Sequence, residues 1–153
     1  MKQEVGIFSF GYWGWGSRVK ELKRSFLKFN KTTRGRGILW VDIRIRRNVR
    51  AKGFNGDKTE ELFGAHSYVW MKDFGNVNIL DGRNGVTIKN YQAGFSQLCE
   101  VVKKAKRQNL DLILFCACEC VSECHRNNVM RWLKQKRISG AKVYGEFPAG
   151  INP

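Results

Sequence analysis

The chain has 153 residues, of which 42% are hydrophobic, and its 28 Lys and Arg against 13 Asp and Glu give a net charge of +15. This hydrophobic content argues against a disordered chain, and no apolar run approaches the ~20 residues that span a bilayer. We therefore expect a single domain over residues 1–153 with no membrane partner, and the lack of a recognisable secretory leader predicts a cytoplasmic location.

The first half of the chain predicts two strands and two helices. An apolar run over residues 5–10 predicts the first strand, and hydrophobic residues then recur at helical spacing from 19 to 29. A continuous apolar run over residues 38–43 predicts a second strand that is buried on both faces. A short helix is expected after residue 57.

The second half predicts three further strands and two helices. The strands are expected over residues 67–71, 110–116 and 141–147. One helix is expected from a cap at Asn90 to residue 105, and the other over residues 126–136. The glycine-containing segment 72–88 is predicted to be a long loop.

This alternation predicts an α/β fold with three α/β/α layers and a Rossmann-like, mainly parallel five-stranded sheet. Right-handed crossovers leave few strand orders, and we predict 3-2-1-4-5. Because the winding then reverses between strands one and four, a ligand crevice is expected between the loops at residues 11–16 and 118–126. The end of strand two brings Asp42 and Arg44 to its rim.

The densest group of reactive side chains follows the fourth predicted strand. Four of the five cysteines and one of the two histidines fall in this window: Cys116, Cys118, Cys120, Cys124 and His125. Such soft ligands suit zinc, but no Cys-x2-Cys pair is present, and a cysteine buried in a strand commonly acts as a small hydrophobe. We therefore expect no metal and no cofactor, with zinc as the alternative.

The motifs of the chain resemble those of a known family, in the same order along the sequence. The matching segments are Ile7-Phe8-Ser9-Phe10-Gly11, Asp42-Ile43-Arg44, Arg50, Phe54-Asn55, Tyr68, Phe74-Gly75-Asn76 and Cys124-His125-Arg126. Together they resemble the DUF488 family. The chain departs from that family at Tyr12, where a histidine is usual, and it lacks the prolines common after the Asp-Val-Arg motif. The family name says little about function, so we infer the function from the chemistry of the side chains.

An anion site is predicted where the last long helix begins. The N–H groups of residues 124–128 lack intrahelical partners, and Arg126 and Arg44 add forked donors that suit phosphate or carboxylate. The alternative is that Arg126 pairs with Asp42 or Glu119 and holds the loop in place. The candidate residues for binding an anion or nucleic acid are Gly11, Tyr12, Arg44, Arg50 and Arg126.

Catalysis is left open. The candidate catalytic groups are the acidic, thiol and imidazole side chains of the crevice, namely Asp42, Glu119, Cys124 and His125. His125 has a side chain suited to proton transfer near neutral pH, and its alternative role is a capping hydrogen bond. Cys120 and Arg126 have the Cys-x5-Arg spacing of phosphatases and rhodanese-like enzymes, but Glu123 in this loop would repel a phosphoryl group.

The basic residues are unevenly distributed. Residues 17–58 hold 14 basic and 3 acidic residues, a net charge of +11, and smaller basic groups lie at 103–107 and 131–137. A positive field of this size attracts polyanions, above all nucleic acid, and the alternative is a merely solvated surface. Trp13 and Trp15 would stack on bases if exposed, or would pack as local core.

We expect the chain to bind a phosphate-bearing ligand, a nucleic acid or a nucleotide, and to act on it if it is an enzyme. Two alternatives remain open. One is an enzyme that acts on a small anionic molecule, and the other is a non-catalytic accessory protein that binds nucleic acid. A salt-bridged Arg126 without an open pocket would favour the accessory protein.

Overall fold

The computed structural model describes residues 3–12, 15, 18–47, 54–117 and 124–147. Within them, strands and helices alternate in the order β1 (Val5–Gly11), α1 (Val19–Arg34), β2 (Gly37–Asp42), α2 (Asp57–Phe63), β3 (Tyr68–Trp70), α3 (Tyr91–Gln108), β4 (Leu110–Cys116), α4 (His125–Lys134) and β5 (Ala141–Glu146). The predicted cap at Asn90 is confirmed, because its side chain accepts the Ala93 N–H at 3.0 Å. The predicted loop at 72–88 contains two short 3₁₀ helices, Lys72–Phe74 and Val77–Ile79.

The five strands form one parallel sheet in the order β3-β2-β4-β1-β5, which confirms the α/β class. The predicted order 3-2-1-4-5 was wrong in one respect, since β4 lies between β2 and β1. The handedness of crossovers allows both orders, and burial distinguishes them. Four successive β4 residues from Leu112 to Phe115 are at most 1% exposed, so this strand takes the centre of the sheet.

The helices cover both faces of the sheet and enclose two different cores. On one face, Trp40 of β2 stacks on Phe26 of α1 and Phe63 of α2, with ring centroids 5.8 and 4.5 Å away. The opposite face packs Leu39 and Val41 of β2 against an aliphatic core from α3 and α4. No helix in the described part of the chain is long and apolar enough to cross a membrane.

The strand register gathers the candidate site at one end of the sheet. Gly11 pairs with Cys116, and Asp42 pairs with Phe115, so the carboxyl ends of β1, β2 and β4 are level. The chain leaves β1 and β2 towards one face and leaves β4 towards the other, which opens a topological switch point beside β4. Gly11, Asp42 and the start of α4 therefore lie at the same end, as predicted.

Asp111 organises the opposite, amino end of the sheet. Its fully buried carboxylate accepts hydrogen bonds from Gly6 N at 2.7 Å, Arg34 Nε at 2.6 Å and Asn30 Nδ2 at 3.0 Å. Arg36 Nε lies 3.0 Å from the same carboxylate. Hydrogen bonding to Asp111 raises the pKa of Arg34. Two arginines thus share one carboxylate, and this end of the sheet keeps a positive charge.

We predict that Asp111→Ala lowers the free energy of unfolding by about 3–5 kcal/mol, because it removes the counter-charge of a buried pair. The control is Glu100→Ala, which breaks only an exposed 2.9 Å ion pair with Lys103. That control is expected to change the free energy by less than about 1 kcal/mol. Urea denaturation followed by circular dichroism measures both values, and equal losses would contradict the structural role of Asp111.

Candidate functional site

A buried polar cluster occupies the carboxyl end of the sheet. We call it the carboxyl-edge cluster, and its members are at most 6% exposed: Tyr12, Asp42, Arg44, Tyr68, Cys116, Cys124, His125 and Arg126. It contains six of the predicted site residues, and a seventh, Gly11, ends the adjacent strand β1. The remaining two, Arg50 and Glu119, lie outside the described residues.

Asp42 is the centre of one half of the cluster. Its carboxylate accepts two parallel hydrogen bonds from Arg44, from Nε at 2.8 Å and from Nη2 at 2.6 Å. The backbone N–H of Arg44 and the hydroxyl of Tyr68 add two further donors, at 3.1 and 2.6 Å. Four hydrogen bonds satisfy this fully buried carboxylate, so its charge is compensated within the protein.

Arg44 directs its remaining donors at other protein groups. Nη1 donates to the Tyr12 hydroxyl at 3.2 Å and to the Phe54 carbonyl, and Nη2 also contacts Thr59 Oγ1 at 3.3 Å. With the two bonds to Asp42, all five guanidinium N–H groups have acceptors. Burial lowers the pKa of Arg44, but Asp42 outweighs this effect and holds that pKa above its ordinary value. The side chain therefore acts as a tie between elements.

The other half of the cluster contains two thiols and an imidazole. The Sγ atoms of Cys116 and Cys124 lie 2.7 Å apart. Cys124 occupies the N-cap position of α4, where its sulfur accepts the Arg126 N–H at 3.5 Å. His125 Nε2 lies 2.8 Å from the Ile43 carbonyl, and because a carbonyl only accepts, Nε2 carries the proton. In the neutral imidazole, Nδ1 is then the unprotonated nitrogen, 3.7 Å from Cys124 Sγ.

Arg126 joins this half to the end of β5. Its guanidinium is 1% exposed and donates to Glu146 Oε1, from Nη2 at 2.7 Å and from Nε at 3.2 Å. Nη1 lies 3.4 Å from Cys116 Sγ. Burial lowers the pKa of Arg126, while Cys116 and Glu146 raise it, and the result lies above the ordinary value.

Glu146 is a site residue that the sequence reasoning missed. The alternatives considered for Arg126 were Asp42 and Glu119, and the carboxylate that the described structure pairs with it is Glu146. The signal lies in the topology, because the parallel sheet places the end of β5 beside the end of β1 and one strand away from β4. Pairing with a carboxylate agrees with the alternative in which Arg126 holds neighbouring elements together.

The aromatic residues near the cluster belong to the core. Tyr12 and Trp15 are each 4% exposed, and the Tyr12 ring stacks on Phe54 with centroids 3.7 Å apart. Tyr12 and Trp15 therefore pack as local core, and neither ring is exposed for stacking on a base. Trp13 lies outside the described residues.

Among the described cavities, none of the three is lined by Asp42, His125 or Arg126. One of these three cavities, of about 350 Å³, lies beyond the end of β2 and is lined by Arg46, Arg47 and Lys72.

The other two cavities lie at the amino end of the sheet. One, of about 660 Å³, is lined by Lys134, Lys136, Arg137 and Lys142 with Glu4. The other, of about 360 Å³, is lined by Arg34, Arg36, Lys106 and Arg107. The Lys106 side chain reaches towards Gly140 of the first cavity, so the two cavities adjoin. We call the combined surface the amino-edge groove.

The amino-edge groove is strongly cationic. Six of its side chains are exposed and form no salt bridge with any described residue: Lys106, Arg107, Lys134, Lys136, Arg137 and Lys142. Among the described residues, Glu4 is the one acidic side chain that lines either cavity. Five of these six residues belong to the two basic groups, 103–107 and 131–137, that are smaller in sequence than the segment 17–58. The carboxyl-terminal ends of α3 and α4 bring them together.

Comparison with known proteins gives one match. A family model described as "Domain of unknown function DUF488" matches residues 25–133, which is more than half of the chain. No curated protein and no solved structure matches this chain. The matched range includes Asp42, Arg44 and the Cys124-His125-Arg126 motif.

Arg44→Met is predicted to lower the free energy of unfolding by about 3–5 kcal/mol, because it leaves the buried Asp42 carboxylate without its cation. Arg46→Met is the matched control, two residues away and exposed, and we expect a change below about 1 kcal/mol. Urea denaturation of both variants provides the measurement. If Arg44→Met were as stable as Arg46→Met but failed to bind phosphate, Arg44 would be an anion ligand and not a structural residue.

Alkaline pH is predicted to destabilise the fold through Tyr68. Burial and the neighbouring Asp42 raise the pKa of Tyr68, so the unfolded chain loses this phenol proton first. The contribution of Tyr68 to stability is therefore complete below pH ~10, the unfolded value, and is lost as the pH rises above it. Tyr68→Phe should reduce this pH dependence in urea unfolding at a series of pH values. An unchanged dependence would contradict the prediction.

Proposed function

The chain belongs to the DUF488 family, whose function is unknown, and we propose from the charge of its surface that it binds nucleic acid through the amino-edge groove. One observation carries the proposal. Six exposed cations, without a described salt bridge, surround two adjoining cavities, and Glu4 is the one carboxylate among the described residues that line them. A surface of this kind matches the closely spaced phosphates of a polynucleotide, which carry one charge per ~1.7 Å of duplex.

A structural role accounts for only part of this charge. Cations in the last turn of a helix interact favourably with its dipole, by about 0.3–1 kcal/mol each. Lys106, Arg107 and Lys134 lie in such positions on α3 and α4. Lys136, Arg137 and Lys142 lie beyond both helix ends, where this effect weakens. Lys136 and Lys142 also lie over the rings of Trp132 and Tyr144, at 4.8 and 5.0 Å from the ring centroids. The mutual repulsion of these cations destabilises the free protein, and a bound polyanion would relieve it.

The arginines of the carboxyl-edge cluster have partners within the protein, which indirectly favours the amino-edge groove as the binding surface. Every guanidinium N–H of Arg44 has a protein acceptor, and Arg126 is paired with Glu146. These partners favour the non-catalytic accessory protein over an enzyme for a small anion. Lysine and arginine contacts to phosphate position a protein on the polymer without reading its sequence, so we propose binding that depends on charge more than on sequence.

We predict salt-dependent binding to a labelled DNA duplex. If six phosphates are neutralised, log K should fall with log salt at a slope of about −5. The triple variant Lys136→Ala/Arg137→Ala/Lys142→Ala should bring the slope nearer to zero by roughly 2.7, because three phosphate contacts are lost. Its control is Lys20→Ala/Arg24→Ala/Lys28→Ala, which removes the same charge from the exposed face of α1. Fluorescence anisotropy across salt concentrations measures all three proteins.

The control variant should keep most of the wild-type slope. Equal losses in the two triple variants would show that net charge alone drives binding, and would contradict a role for the groove. The absence of binding by the wild-type protein at low salt would contradict the proposed function itself.

A further inference from the structure

We propose that Cys116, Cys124 and His125 bind a zinc ion at the switch point of the sheet. The ligand atoms of these three residues, two Sγ atoms and an imidazole nitrogen, all lie within 4.8 Å of one another. They come from a strand end and a helix start, which explains why the spacing rules for zinc knuckles did not indicate them. The proposal is independent of nucleic-acid binding, because none of these residues lines the amino-edge groove.

The ligand set has the chemistry that zinc prefers. Thiolate sulfur and imidazole nitrogen are soft to borderline ligands, which select zinc over magnesium or calcium. All three residues are at most 4% exposed, so a bound ion would be shielded from water on these sides. Zinc–sulfur bonds of ~2.3 Å in a tetrahedral site separate two sulfurs by about 3.8 Å. The Cys116 and Cys124 sulfurs, now 2.7 Å apart, would therefore move apart by about 1 Å.

The imidazole is held in the orientation of a metal ligand. Zinc-bound histidines almost always donate the N–H of the second ring nitrogen to a carbonyl or carboxylate. His125 Nε2 donates in this way to the Ile43 carbonyl at 2.8 Å. That hydrogen bond selects the tautomer whose Nδ1 lone pair is 3.7 Å from Cys124 Sγ, beside the two thiols.

Each of the two sulfurs also has a nearby N–H donor, as thiolates in proteins commonly do. Cys124 Sγ accepts the backbone N–H of Arg126 at 3.5 Å, at the positive end of the α4 dipole. Cys116 Sγ lies 3.4 Å from Arg126 Nη1. Cysteines that act only as core hydrophobes have apolar neighbours, whereas each of these sulfurs faces an N–H donor. The charge of Arg126 does not oppose the metal, because two thiolates neutralise Zn²⁺ and Glu146 neutralises the guanidinium.

Titration of the reduced, full-length protein with Co²⁺ tests the proposal. Cobalt replaces zinc and reports thiolate ligands by a charge-transfer band in the near ultraviolet and by the visible bands of a tetrahedral site. We expect one equivalent to bind, zinc to displace it, and zinc to raise the free energy of unfolding. Cys116→Ser and Cys124→Ser each remove a ligand atom, so each should weaken binding by more than the roughly 10–100-fold that loss of a ligand's hydrogen-bond partner costs. Cys99→Ser on α3 is the matched control and should leave binding unchanged.

Two results would overturn the proposal, and one of them needs no variant. The first is a wild-type protein with fully reduced thiols that shows no thiolate-to-cobalt band. The second is a wild-type spectrum in both Cys116→Ser and Cys124→Ser, which would assign the metal to Cys118 and Cys120, the cysteines that every variant retains.

Discussion

The buried ion pair of Asp42 and Arg44 is the interaction on which the carboxyl end of the sheet depends. A carboxylate at the end of β2 fixes the guanidinium, and the guanidinium then donates to Tyr12 after β1 and to Thr59 of α2. The same carboxylate accepts the hydroxyl of Tyr68 on β3. One pair thus ties four segments together, and the loss of either partner leaves an uncompensated charge in a buried site.

The positive charge of the chain divides into two populations with different consequences. Arg34, Arg36 and Arg44 are paired with buried aspartates at the two ends of the sheet, Asp111 at one end and Asp42 at the other. Within the part of the chain that the structure describes, most exposed cations form no salt bridge, and at the amino-edge groove such cations converge from α3 and α4. The formal charge of residues 17–58 therefore overstates what that segment offers to a ligand, since Arg34, Arg36 and Arg44 are used internally.

The sequence was sufficient for the elements and not for the partners of their side chains. Apolar runs and the Asn90 cap located the strands and α3, because those signals are local. The strand order was missed because handedness rules do not weigh how deeply β4 is buried. Arg126 has its carboxylate 20 residues further on, and Cys116 at the end of β4 contacts Cys124 at the start of α4. Such contacts depend on how the strands and helices pack, and the spacing of residues along the sequence does not predict them.

We propose that the arginines of the carboxyl-edge cluster are structural and that the amino-edge groove binds the nucleic acid. Nuclear magnetic resonance of ¹⁵N-labelled protein during addition of a DNA oligonucleotide tests it most directly. The account predicts shifts of the backbone amides near Lys106, Lys136 and Lys142, while the Nε–H signals of Arg44 and Arg126 keep their positions and their slow exchange with solvent. Shifts that begin at the Arg44 and Arg126 Nε–H signals, with the groove amides unchanged, would contradict it.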